Sequence, residues 1–114
     1  SQDRDPRGFT VLGADMKAAG EVSDLWVDRS EAIIRYLEVR LPSGAGSVLL
    51  PMTLARVDMQ RARVLVSSIL AGQFAGVPRL RSPDQVTRLE EDKICGYYGG
   101  GKLYATPLRA EPMI

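Results

Sequence analysis

The stretch DLWVDRSEAIIRYLEVRL, residues Asp24–Leu41, decides the fold that this sequence predicts. Apolar and polar residues alternate along it, which is the period-two pattern of half-buried strands. We therefore predict two strands, Val22–Asp28 and Ile33–Leu41, joined by a turn at Arg29-Ser30. The two strands would pair as a hairpin, around which the rest of the chain is arranged.

Arg35 falls on the apolar face of the second predicted strand, together with Leu37 and Val39. A guanidinium stays charged in proteins, so a position among apolar groups predicts a carboxylate partner. The nearest candidates in sequence are Asp28 and Glu31, at the turn just before it. This cluster is either a structural ion pair that closes the hairpin or a site with coupled, shifted pKa values.

Shorter strand candidates lie on both sides of the hairpin, with turn-forming residues about every 8 to 12 positions. This spacing favours a small barrel over an open sheet, since closure removes exposed strand edges. The predicted class is mostly β (α+β): a small closed β-barrel with one C-terminal α-helix and short helical turns. The further strand candidates are Phe9–Leu12, Ser47–Met52, Leu54–Asp58 and Arg63–Val66, and a brief helical turn is expected in Ser67–Ala75.

The one clear helix is predicted to begin near Thr87. Thr87 and Glu90 have the spacing of a capping box, in which each side chain accepts a hydrogen bond from the other residue's backbone. The acidic first turn suits the positive end of the helix dipole. Gly99-Gly100-Gly101 is expected to end the helix. An alternative start at Ser82, with Pro83 at the first helical position, stays open.

Composition excludes several classes of function. The net charge of +1, from 15 basic and 14 acidic residues, gives no field that would attract nucleic acid. The chain has no histidine, which excludes a histidine-based metal site or catalytic triad. The single cysteine, Cys95, excludes an internal disulfide, and we expect it to be a small buried residue on the helix. No nucleophile–base pair stands out, so an enzyme is not predicted.

The central hairpin also resembles a known family. The pattern DLWVD–x2–E–x3–R–Y–LEV is similar to the cytoplasmic domain of the H subunit of the purple-bacterial photosynthetic reaction centre, whose fold is called the PRC-barrel. The resemblance runs from about Asp5 to Pro107. Three further stretches agree in the same order: SVLLPM (Ser47–Met52), FAGVPRLRSPDQVT (Phe74–Thr87) and LEEDKICGY (Leu89–Tyr97).

This resemblance implies domain limits and a function. Residues 1–8 would be a flexible segment, residues 9–107 the PRC-barrel cytoplasmic domain and residues 108–114 a tail. The domain would cap the L and M subunits on the cytoplasmic face of the bacterial inner (intracytoplasmic) membrane and support proton transfer to the secondary quinone. No apolar run reaches the roughly 18 residues of a membrane span, so the chain would be a fragment without the N-terminal transmembrane helix of H subunits, soluble alone.

By the same resemblance, Asp28 and Glu31 are relay carboxylates, Arg35 is the positive charge that tunes them, and Glu91 is a more distant member of the proton-transfer site. Repulsion between clustered carboxylates would raise one pKa, and the arginine would limit the rise. No role is predicted for Asp24.

The resemblance further implies that this chain binds no cofactor or metal itself. Bacteriochlorophyll, bacteriopheophytin, quinones and a non-haem iron would lie in the L and M subunits. Those subunits are the expected partners, the membrane surface is approached only through the complex, and no nucleic acid is expected. The alternative is a soluble PRC-barrel adaptor module for protein docking, without a proton-transfer role.

Overall fold

The computed structural model describes residues 5–103. In this part of the chain one sheet of six strands is followed by one α-helix, with short 3-10 turns at Pro42–Gly44, Met52–Leu54 and Ala71–Gly76. The predicted mostly-β class, with one helix and short helical turns, is confirmed. The elements are β1 (Thr10–Leu12), β2 (Ala18–Asp28), β3 (Ile33–Arg40), β4 (Ser47–Pro51), β5 (Arg56–Asp58), β6 (Arg63–Leu65) and α1 (Arg88–Leu103).

The strands lie in the order β4-β3-β2-β1-β6-β5. The pairing of β1 with β6 is parallel, and the other neighbouring pairs are antiparallel. Within residues 5–103 no ladder joins the end strands β4 and β5, so the sheet is not closed. The prediction of a closed barrel is wrong in this respect.

Other groups protect the two edges that closure would have removed. On β4, the Arg79 guanidinium donates to the Ser47 carbonyl at 3.4 Å, and the Tyr98 hydroxyl donates to the Leu49 carbonyl at 2.8 Å. On the other side, β5 is only 3 residues long and carries a charged residue at each end. Short, charged or covered edges resist pairing with another chain, so closure is not needed for that purpose.

The strand predictions hold with shifted ends. β2 begins at Ala18 instead of Val22, so Gly20 lies inside the strand. A Cβ atom on Gly20 would lie 2.4 Å from the carbonyl oxygen of Arg40. The absence of a side chain therefore lets two neighbouring backbones approach closely at this point. The predicted hairpin of β5 and β6 is confirmed.

A β-bulge lies in the central hairpin. The register of β2 against β3 shifts between Trp26 and Val27, and this shift leaves Arg35 as the extra residue on β3. A bulge re-aims the side chains beside it. Arg35 lines a surface pocket and its side chain is 45% exposed, whereas Leu37 is fully buried. The expectation that Arg35 shares the apolar face with Leu37 is wrong.

The core is built from the sheet and from the segments that follow it. Strand residues such as Leu37, Val39 and Leu50 are fully buried. Phe74 and Tyr98, from the last 3-10 turn and from α1, pack against each other edge to face with ring centroids 6.0 Å apart. The C-terminal segment thus covers the sheet and positions α1 beside the central hairpin.

α1 begins directly after the predicted cap. The backbone N–H of Glu90 donates to the Thr87 hydroxyl at 3.1 Å, and the backbone N–H of Thr87 donates to the Glu90 carboxylate at 2.9 Å. The capping box is therefore confirmed. The alternative start is not used, since Ser82 pairs with Gln85 in an isolated bridge.

The end of the helix and the position of the cysteine differ from the predictions. α1 continues through Gly99-Gly100 to Leu103. Each glycine costs about 1 kcal/mol relative to alanine, and the burial of Ile94 and Tyr98 outweighs this cost. Cys95 lies outside that buried face and is exposed, so its predicted burial is wrong.

The predicted terminal segments lie mostly outside the described residues. This holds for residues 1–4 and for the whole predicted tail, residues 108–114. In the remaining part of the N-terminal segment, Pro6 is buried and the Gly8 N–H donates to the Val22 carbonyl at 2.8 Å. Nowhere in residues 5–103 does a helix have the length and apolar character to cross a membrane.

Candidate functional site

Three of the four predicted site residues meet at the end of the central hairpin. Arg35 lies between two carboxylates, with Nη1 3.6 Å from Asp28 Oδ2 and Nη2 3.1 Å from Glu91 Oε2. The contact with Glu91 joins positions 56 apart in sequence. All three side chains are partly exposed, so water screens both ion pairs and each contributes little to stability. We call Asp28, Arg35 and Glu91 the charge network.

Asp28 is held by the turn that follows it. Its Oδ1 accepts hydrogen bonds from the Ser30 hydroxyl at 2.8 Å and from the Ser30 N–H at 3.0 Å. These bonds, the hydroxyl first, and the charge of Arg35 hold the pKa of Asp28 below its ordinary value. The expected rise through repulsion does not occur at Asp28. In this chain it is a fixed negative charge at neutral pH.

Glu31 lies outside the charge network. Its side chain is exposed, and within residues 5–103 it forms no ion pair. Its backbone N–H points to Asp28 Oδ1 at 3.4 Å, so the residue helps to hold Asp28 without bringing its own carboxylate to Arg35. Glu31 is closer to Arg35 in sequence than Asp28 is, but of these two acids only Asp28 contacts the guanidinium through its carboxylate.

Tyr36 belongs to the site and was not predicted. Its side chain is 5% exposed, and its buried hydroxyl has no hydrogen-bond partner among the described residues. Burial raises the pKa of this phenol, and the negative charge of the nearby Glu91 raises it further. A buried hydroxyl without a partner is costly, and a small approach of the Glu91 carboxylate would supply an acceptor for it. Only the bulge at Arg35 brings this residue to the network, and nothing in the sequence indicates a bulge.

A pocket of about 210 Å³ opens beside the charge network. Tyr36 also lines it, together with Trp26, Val27, Asp84, Gln85 and Val86. Three carboxylates and one guanidinium therefore face one small volume, which gives it a net negative charge. Such a site can hold protons or cations, while the part of the chain that the structure describes contains no group of three potential ligands arranged for a metal ion.

A comparison with known protein families gives a match that covers the strands of the sheet. The PRC-barrel domain family matches residues 1–71 of the 114 in this chain. The chain belongs to the PRC-barrel domain family. The match includes β1 to β6, so Asp28, Arg35 and Tyr36 of this PRC-barrel domain lie on the family's sheet. Glu91 lies on α1, beyond the matched residues, and the charge network joins the two parts of the chain.

We expect Tyr36 and Tyr98 to stay protonated at a pH near 11, where exposed phenols, with a pKa of about 10, have ionised. Burial is the first cause of the raised pKa in both. A raised folded-state pKa contributes stability that is complete below about pH 10 and is lost as the pH rises through the folded value. Phenolate absorbance measures this ionisation directly.

The Tyr36→Phe variant makes this test specific. In denaturant the substitution should remove the signal of one of the chain's four tyrosines. In the folded protein near pH 11 it should leave the amplitude unchanged. A lower amplitude in the folded variant would show that the Tyr36 phenol ionises normally and is not buried.

Proposed function

We propose that this PRC-barrel domain is the cytoplasmic domain of a reaction-centre H subunit. In this proposal it covers the L and M subunits on the cytoplasmic face of the membrane and supports proton transfer to the secondary quinone. The contact between Arg35 and Glu91 carries the proposal. It joins the two stretches in which the resemblance is most specific, DLWVDRSEAIIRYLEV and LEEDKICGY, within one charge network.

The chemistry of the site suits a proton path. Placing negative charge on a quinone in a low-dielectric site is costly unless protons accompany the electrons. Glu91 is the proposed proton carrier, since its carboxylate is partly exposed, is held by Arg35 and lies near the Tyr36 hydroxyl. Glu31, exposed at the turn, is the proposed outer acid.

In this proposal Asp28 relays protons only when a partner surface covers it. Its lowered pKa makes it a fixed charge that holds Arg35 in the isolated chain. Docking against membrane subunits would remove water from Asp28, and desolvation raises the pKa of a carboxyl group. A relay through Asp28 therefore depends on the partner surface.

Exposed apolar side chains beside the charge network fit such a partner. Val27 and Ile33, at the end of the central hairpin, and Leu89, on the first turn of α1, are each about half exposed or more. Exposed apolar groups with polar groups beside them are typical of a surface that is covered in an assembly. The pigments, quinones and iron would be held by the L and M subunits, and no catalytic reaction is proposed for this chain.

The Glu91→Gln variant tests the proposal in the assembled complex. It keeps the shape of the side chain and removes its exchangeable charge. The first electron transfer to the secondary quinone should be unchanged, while the second, which requires proton uptake, should slow about tenfold or more. The slowing should be largest at high pH, where fewer carboxylates hold a proton.

Two controls separate proton transfer from other effects. The neighbouring exposed acid Asp92, changed to Asn, should leave both transfers unchanged. Small weak acids that carry protons should restore the second transfer in Glu91→Gln, but would not correct a shifted quinone potential. If Glu91→Gln matched the wild type across the pH range, the charge network would be a structural ion-pair network only.

A PRC-barrel module for protein interaction, without a proton role, is the second candidate. The family match favours it, because the matched residues form the sheet and do not include Glu91. Co-purification of the full-length protein with pigment-bearing membrane subunits supports the first candidate. A stable complex with other proteins, unaffected by Glu91→Gln, supports the second.

A further inference from the structure

Trp26 lines a second pocket of about 210 Å³, in addition to the one beside the charge network. Its walls are mainly apolar and include Leu49 from β4 and Pro78 and Leu80 from the segment before α1. Glu38, on β3, is the charged side chain among the described residues that line it. The pocket thus combines apolar walls, one indole ring and one carboxylate.

The carboxylate of Glu38 is oriented but carries no counter-charge. Its Oε1 accepts a hydrogen bond from the Trp26 indole N–H at 2.9 Å. Within residues 5–103 Glu38 forms no ion pair, although its neighbour in the hairpin, Glu21, pairs with Arg40 at 3.0 Å. Asp24 is the register partner of Glu38 on β2 but does not line the pocket, so Glu38 supplies the negative charge there.

We propose that this pocket binds a lysine side chain of a partner protein. The apolar walls suit the methylene stem of lysine, and the Trp26 ring attracts an ammonium group. The second oxygen of Glu38 can accept a charge-assisted hydrogen bond from it. An arginine fits less well, because its preferred two-pronged contact with a carboxylate would compete with the indole N–H for Glu38 Oε1.

This inference is independent of the proposed function, since the pocket uses neither Arg35 nor Glu91. Any partner that presents a lysine on an apolar surface would satisfy it. The Glu91→Gln variant should therefore bind a lysine probe as the wild type does. Failure of the proton-transfer proposal would leave the lysine pocket standing, and the reverse also holds.

The probe is N-acetyl-lysine methylamide, and the signal is the fluorescence of Trp26, which is the chain's single tryptophan. We expect a saturable change with a Kd in the range of about 1–30 mM, which is reasonable for one buried side chain. The norleucine analogue has nearly the same stem without the charge and should bind at least tenfold more weakly. The arginine analogue should be several-fold weaker than lysine.

Two substitutions locate the binding at Glu38. Glu38→Gln can keep the hydrogen bond from Trp26 and should weaken binding at least tenfold, while the control Glu21→Gln should change nothing. Asp24→Asn removes a charge that does not line the pocket and serves as a second control, with binding expected within about twofold of the wild type. The proposal is overturned by the absence of a saturable signal up to about 100 mM, by equal binding of norleucine, or by wild-type binding in Glu38→Gln.

Discussion

Replacing Gly20 with alanine is expected to destabilise the fold by about 2–4 kcal/mol. The added Cβ would lie 2.4 Å from the Arg40 carbonyl oxygen and 2.9 Å from a methyl carbon of Val39. The first of these is a backbone atom of β3, so relief requires moving a strand instead of rotating a side chain. The midpoint of denaturant unfolding, followed by circular dichroism, should fall while the m-value stays the same.

Gly96→Ala is the matched control. Gly96 is exposed on α1, and a Cβ there would have no atom within 4 Å. Alanine is favoured over glycine inside a helix by about 1 kcal/mol, so this variant should gain stability of that order. If Gly20→Ala proved as stable as Gly96→Ala, the close approach of β2 to β3 would be incorrect.

Tyr98→Phe is expected to cost about 1–3 kcal/mol. The hydroxyl donates to the Leu49 carbonyl on the edge strand β4, and the side chain is fully buried. Removal of the donor leaves a buried carbonyl without its partner, while the ring and its packing against Phe74 are kept. Thermal and denaturant unfolding of the variant measure the loss.

Tyr97→Phe provides the comparison. Its hydroxyl donates to the Gln73 carbonyl at 2.8 Å, but the side chain is only partly buried, so water can replace the lost donor. We expect a loss below about 1 kcal/mol. Equal losses in the two tyrosine variants would mean that the edge of β4 does not depend on Tyr98.

Local patterns predicted much of the fold. Alternation located β3 and the hairpin of β5 and β6, and a short apolar run located β4, since each strand depends on its own side chains. The start of α1 was predicted for the same reason, because Thr87 and Glu90 satisfy each other within one turn. The end of α1 was missed because burial of Tyr98 acts against the local preference of glycine.

The open sheet and the bulge could not be predicted in this way. Whether a sheet closes depends on how its edges are covered, and the groups that cover β4 come from Arg79 and Tyr98, far away in sequence. The bulge at Arg35 appears only when two strands are paired and their registers compared. Neither feature has a signature in one strand alone.

In the candidate site too, a contact between residues close in sequence could be predicted from the residues alone, and contacts between distant residues could not. The pairing of Arg35 with Asp28 followed from their closeness in sequence, whereas Glu91 was reached only through the family resemblance. Tyr36 was missed because its burial requires the bulge and the C-terminal segment together. The proton-transfer roles of Asp28, Glu31, Arg35 and Glu91 stay predictions.

The parallel pairing of β1 with β6 sets the order in which the sheet can assemble. β2 and β3 close a turn of a few residues, whereas Val11 opposite Val64 closes a loop of roughly fifty residues, which costs about 2 kcal/mol more in chain entropy. During synthesis, at about 5–20 residues per second, β1 leaves the ribosome first and waits several seconds for its second neighbour. The first strand of this sheet is thus among the last to be enclosed, and until then one of its edges is available to nascent neighbours or chaperones.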